Sequence, residues 1–201
     1  MTTPLQFPDP NDTRITSVDL DGVAPWLALD AEVPLAHLLG AANAVERTPD
    51  QVRARLAELG YTALPQGPLP EAVEPDDVLI VSKNLDDGSP WLEVGEPVSL
   101  VHVLAAANAV ERTPEQVRAR LAELGYGHVP EGELPAQVSE DDLRIVSADL
   151  DGESPWLETG EPVSLVHVLA AANAVERTPE QVRARLAELG YGHVPEGELP
   201  A

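Results

Sequence analysis

The chain has no cysteine, one phenylalanine and one methionine. Without cysteine there is no disulfide, no thiolate metal site and no cysteine nucleophile. Aromatic residues make up 3% of the chain, so its cores must rest on Leu, Val and Ala. Basic residues are also scarce, 12 against 35 acidic ones, and Lys83 is the sole lysine. The resulting formal charge of −23 repels phosphate backbones and anionic membranes at long range and favours basic partners. No apolar run reaches the roughly 18–20 residues needed to span a bilayer. Met1-Thr2-Thr3-Pro4 lacks the basic and apolar blocks of a signal peptide. These absences lead to the expectation of a soluble cytoplasmic protein. The preference for arginine, with abundant Ala, Val and Pro, points to a GC-rich genome; salt adaptation is a rival explanation of the acidity.

What the chain does have is a repeat. Trp26, Trp91 and Trp156 are spaced 65 apart (91 − 26 and 156 − 91), as are Tyr61, Tyr126 and Tyr191. Residues 95–136 recur without a change as 160–201. Divergence soon blurs such identity, so the array arose by recent duplication or by construction. After a leader over 1–11, the periodicity divides the chain into repeats over 12–76, 77–141 and 142–201. Each is near the lower size limit for a self-sufficient core, and neighbours are expected to lean on one another. Tandem copies present one surface several times over.

Within a repeat the pattern predicts strand, turn, helix, turn, helix and short strand. The first strand is expected at 143–147 (Leu-Arg-Ile-Val-Ser), with Ile15 and Ile80 matching Ile145. A tight Asp-Gly turn follows at Asp21-Gly22 and Asp151-Gly152; the middle copy shifts its glycine to Gly88. Pro-Trp-Leu comes next and is expected to plug one end of the core. The first helix is predicted over 100–110 with Ser99 as N-cap, burying Leu100, Val103, Leu104 and Ala107. The second starts with Thr113 as cap, Pro114 at the first position and Gln116 completing a capping box. Gly125 supplies a left-handed stop and Tyr126 folds back on Leu121. His128-Val129 is the candidate return strand. The expected fold is therefore α/β and helix-dominated: three tandem winged-helix-turn-helix-like repeats of about 65 residues.

The string Asp-Leu-Asp-Gly, Pro-Trp-Leu, Pro-Val-x-Leu-x-His, Ala-Ala, Thr-Pro-Glu-Gln-Val and Arg-Leu-x-Glu-Leu-Gly-Tyr resembles the tandem winged-helix-turn-helix repeats of actinobacteria. Those repeats occur in large multidomain proteins, beside caspase-like peptidase or nucleoside-triphosphatase modules of conflict or immune type. The resemblance covers everything after the leader. It implies a recognition or adaptor module and brings no catalytic residue with it.

Several residues invite a chemical reading. Arg112, Arg118 and Arg120, with counterparts Arg47, Arg53, Arg55, Arg177, Arg183 and Arg185, cluster where a helix-turn-helix would read DNA. Against that, Glu111, Glu115 and Glu123 share the stretch, and Glu115–Arg118 has ion-pairing spacing. The presumed wing, Pro130-Glu131-Gly132-Glu133, is acidic where phosphate contact wants basic residues. Ser147, Asp149, Asp151, Gly152 and Glu158 imitate a calcium-loop register. Pro155 interrupts it, though, and the first copy has Ala28 at the last position. His37, His102 and His167 stand one per repeat without the partners a metal needs; a backbone cap or packing against the Trp explains them better. No nucleophile–base pair, phosphate loop or metal set is present, so no catalytic, cofactor or metal residue is expected. The expectation is a non-catalytic, multivalent protein–protein interaction or adaptor module with a protein partner, basic in character, or itself. Its surface would be the second helix (Arg53, Arg55, Arg118, Arg120, Arg183, Arg185) or the segment bearing Trp26, Trp91 and Trp156. The alternatives are a DNA-binding regulatory array and an acidic self-assembling or nucleic-acid-mimicking protein. The alanine-rich first helix lets another helix approach closely, inside its own repeat or between chains.

Overall fold

A computed structural model describes residues 9–20, 26–82, 91–150 and 156–199. Among them every regular element is a helix, which overturns the expected α/β class. Each repeat contributes three helices. The first are α1 (Asp12–Ile15), α4 (Pro75–Ile80) and α7 (Glu140–Ile145); the second are α2 (Leu35–Ala44), α5 (Leu100–Ala109) and α8 (Leu165–Ala174); the third are α3 (Pro49–Glu58), α6 (Pro114–Glu123) and α9 (Pro179–Glu188). Short 3₁₀ turns occupy Val18–Leu20 and Ala148–Leu150.

The segment expected as the first strand is α7, and likewise α1 and α4. Its β-branched residues favour a strand, but a local cap decides the matter. The Ser139 amide donates to Asp142 Oδ2 at 2.7 Å, and the Asp142 amide donates back to Ser139 Oγ at 3.3 Å. This reciprocal box nucleates a helix, and Glu140 and Asp141 in the first turn suit the positive helix end. In α4, Pro75 opens the helix and the Glu74 amide donates to Asp77 Oδ2 at 2.6 Å. The return strand is also absent among the described residues. His128 accepts one backbone bond from the Val98 amide at 2.7 Å, and His193 one from Val163 at 2.7 Å. Pro97 and Pro130 flank that contact without N–H groups, so no ladder can extend from it.

The other expected boundaries are met. Ser99 and Ser164 cap α5 and α8, whereas Pro34 stands there in the first repeat and provides no side-chain cap. Thr48, Thr113 and Thr178 form complete capping boxes with Gln51, Gln116 and Gln181. At the end of α6, Gly125 sits at φ 99°. Its amide donates to Ala122 O at 3.1 Å and the Tyr126 amide donates to Leu121 O at 3.0 Å, the paired bonds of a Schellman stop. The Asp-Gly turns and residues 84–88 lie outside the described residues.

The helices gather into two compact units, one holding α1 to α4 with residues 91–94 and the other α5 to α9. In the first, Ile15, Leu38, Val52, Leu56 and Tyr61 are buried together, and α4 lies against α2. In the second, Ile145, Val168, Val182, Leu186 and Tyr191 are joined by Val101 and Leu104 of α5, and α7 lies against α5, α8 and α9. Within both units the first helix of one repeat thus seats on the second helix of the repeat before it. No described helix is long and apolar enough to cross a membrane.

Candidate interaction surface

The arginines of the third helices face two tasks inside their own repeat. Arg118 donates to Pro130 O at 3.0 Å and Gly132 O at 2.8 Å, and its other nitrogen pairs with Glu115. Arg53 reaches Pro65 O, Gly67 O and Asp50, and Arg183 reaches Pro195 O, Gly197 O and Glu180. These arginines pin the loop in the wing position to the helix that precedes it. The expected Glu115–Arg118 pairing is therefore realised and has counterparts in both other repeats.

The second set points the other way, to the first helix. Arg55 grips Asp12 in a fork, Nε to Oδ1 at 2.8 Å and Nη2 to Oδ2 at 2.7 Å, and adds Glu58 at 2.7 Å. Arg185 holds Asp142 likewise at 2.7 and 2.8 Å, with Glu188 at 2.8 Å and Gln137 O at 2.9 Å. Arg120 pairs with Glu123 at 2.9 Å. Arg47 pairs with Asp9, and Arg177 with Asp141 at 3.2 Å. Forked guanidinium–carboxylate bonds are among the stronger polar contacts. They hold the Asp12 carboxyl below its ordinary value, through the Arg55 bonds first. Burial pushes Asp142 up, but the bonds from Arg185 and Ser139 outweigh it and bring it down overall. Sequence reasoning missed these aspartates as anchors, although Ser139-x-x-Asp142 was readable as a cap.

Between α9 and the following loop lies an open groove of about 450 Å³, lined by Glu180, Arg183, Ala184, Ala187, Val194 and Pro195. Its one cation, Arg183, already serves loop carbonyls and Glu180.

The tryptophans differ among repeats. Trp156 packs against the apolar cluster of the second unit, and the indole nitrogens of Trp91 and Trp156 are buried. Trp26 is 57% exposed and plugs nothing. Leu27 and Leu157, which follow Trp26 and Trp156, receive the tyrosine hydroxyls instead: Tyr61 donates to Leu27 O at 3.0 Å and Tyr191 to Leu157 O at 3.3 Å. Burial raises the pKa of each tyrosine. The histidines are structural posts: Nε2 of His37 donates to Ile15 O at 2.9 Å, and Nε2 of His167 to Ile145 O at 2.7 Å. The first helix thereby has its last carbonyl fastened to the second helix. Of the calcium-loop residues, Asp149 lies in a 3₁₀ turn, whereas Asp151 and Gly152 are outside the described residues. Among the described residues there is no group of three or more His, Asp or Glu that would hold a metal ion.

Helix pairs with a capped turn, repeated and stacked through their first helices, define a tandem helix-turn-helix array. The sequence model of the winged-helix-turn-helix family described as "wHTH-Hsp90_Na associated" matches residues 8–61, 72–126 and 137–191, and the chain belongs to that family. No curated protein and no solved structure matches the chain.

Proposed function

We propose that the chain is a non-catalytic, multivalent protein–protein interaction module acting in the cytoplasm as the adaptor part of a larger system. The observation that carries this reading is the engagement of the helix-turn-helix arginines. A DNA reader leaves such side chains to phosphate and base edges; here Arg53, Arg118 and Arg183 serve loop carbonyls and carboxylates of their own repeats. Releasing them would cost those bonds, and a net charge of −23 adds long-range repulsion from a polyanion. Repetition supplies avidity without improving any single contact when the spacing lets two sites engage together. The family is described as associated with Hsp90_Na, so a protein bearing that domain is the first partner to titrate. The conflict-type setting implied by the resemblance belongs to the same proposal.

The test is fluorescence anisotropy of labelled duplex DNA at low salt, repeated as salt rises, beside calorimetric titration with the candidate protein. Duplex binding that weakens with salt and is lost in an Arg118→Ala, Arg120→Ala variant would overturn the proposal in favour of a DNA-binding array. Absence of duplex binding with saturable protein binding supports it.

A further inference from the structure

Each repeat has an accepting face and a supplying face. The accepting face is the outer side of its second helix. On α2, Leu35 is 8% exposed and Ala36 0%. There α4 lies on the helix, and the Trp91 ring comes within 3.8 Å of where a side chain on Gly40 would begin. On α5, Val101 is 3% exposed and Leu104 0%; both share a cluster with Ile145 and Val146 of the following repeat, and Trp156 packs on it. Helix α8 has the same ten residues as α5. Yet its Leu165 is 45% exposed and its Val166 65%, with Leu169 and Ala170 only half-buried.

The supplying face is the first helix with the tryptophan that follows it. In the second and third repeats the indole nitrogens are buried. In the first repeat Trp26 stands 57% exposed. Among the described residues, the accepting face on α8 and the supplying face at α1 and Trp26 are therefore the bare ones.

We propose that two copies of this chain associate head to tail, the α1–Trp26 end of one seating on Leu165 and Val166 of the other. The occupant follows from the molecule itself: α7 already lies on a face of identical sequence on α5, and Trp156 packs against the same cluster. The contact is heterologous, with different surfaces on the two partners, so it joins copies end to end instead of pairing two identical patches. It is also weaker than the internal contact. Thr13 and Thr16 occupy the positions of Leu143 and Val146, which removes apolar area from the supplying helix. Because each copy carries −23, added salt screens their repulsion and strengthens association, the reverse of what duplex binding does. This inference sharpens the self-association branch of the interaction reading and stands or falls apart from it, since a monomeric chain would still be free to bind other proteins.

The experiment is sedimentation velocity of the full chain from micromolar to millimolar concentration, at low and high salt. The expected result is a mass that grows with concentration and grows faster in salt. Trp26→Ala and Val166→Glu each weaken association at least tenfold, and far-UV circular dichroism shows both folded, as exposed sites should be. Val166→Ser stands in if the glutamate variant is not. Mixed together, the two variants form a one-to-one dimer and nothing larger, because each retains the face that the other lacks. Thr13→Leu with Thr16→Val strengthens association. A wild-type chain monomeric under all conditions overturns the proposal. So does a Trp26→Ala chain that associates like wild type, which would mean that α8 pairs with α8.

Discussion

Helices α5 and α8 share the sequence Leu-Val-His-Val-Leu-Ala-Ala-Ala-Asn-Ala and have different surroundings. On α5, Val101 is buried among residues of the next repeat; on α8, the equivalent Val166 faces solvent. Their inner faces are alike, each bearing a buried histidine and a serine cap. The outer face of this helix is thus a repeat–repeat contact on α5, and α8 keeps its inner packing without one. A unit that leaves apolar area for its neighbour to cover is how linear arrays couple their parts.

The largest effect comes from placing a charge on each face. Val101→Asp buries an unpaired carboxylate and should cost about 3 kcal/mol or more, whereas Val166→Asp should stay within about 0.5 kcal/mol. Urea unfolding of both variants measures the difference. Equal losses would mean that α7 does not cover α5 in solution.

Next comes the clasp that holds the covering helix. Asp142 is 2% exposed beneath Arg185, while its counterpart Asp12 is 13% exposed beneath Arg55. Asp142→Ala should cost about 2 kcal/mol by removing the forked bonds of Arg185 and uncapping α7, and Asp12→Ala clearly less. Since the folded-state pKa of Asp142 lies below the ordinary 3.8, its contribution is present above that value and fades as pH falls through the lower one. The stability gap between wild type and Asp142→Ala, followed in urea from neutral to acid pH, should therefore narrow as acid protonates the carboxylate. A gap that widens in acid would contradict the assigned ion pair.

What the sequence made legible was local. Thr113-Pro114-x-Gln116 and Leu124-Gly125-Tyr126 mark the ends of α6 because the bonds that cap it lie within a few residues. Ser139-x-x-Asp142 carried the same kind of signal, but the β-branched residues after it suggested a strand, and the cap prevailed. The covering of α5 was not legible at all, since α8 is spelled with the same letters. Nor was the engagement of the arginines with Asp12 and Asp142, which depends on contacts across 43 residues.

A smaller effect isolates one contact between repeats. Gly190 has φ +97°, and a methyl there would lie 3.0 Å from Leu100 Cδ2; Gly60, at φ +100°, meets only Leu29 Cδ2 at 3.8 Å. Both Gly→Ala changes should cost about 1 kcal/mol through backbone conformation. Gly190→Ala should add a few tenths, because Leu100 has to turn aside. The two midpoints of thermal unfolding, compared directly, give that increment.

The smallest effect should ignore the difference between α5 and α8 altogether. Their turns end in Glu111 and Glu176, both at φ 53°, where a side chain crowds the backbone. The amides of Arg112 and Arg177 donate to Ala107 O and Ala172 O, each at 3.0 Å, so both helices stop in the same left-handed conformation. Glycine relieves that crowding but gives the unfolded chain more freedom, leaving a net gain of about 0.5 kcal/mol. Glu111→Gly and Glu176→Gly should therefore stabilise equally, by thermal denaturation, although one follows a covered helix and the other a bare one. If only Glu111→Gly gains, the turn responds to the next repeat, and the stop is not the local feature its bonds describe.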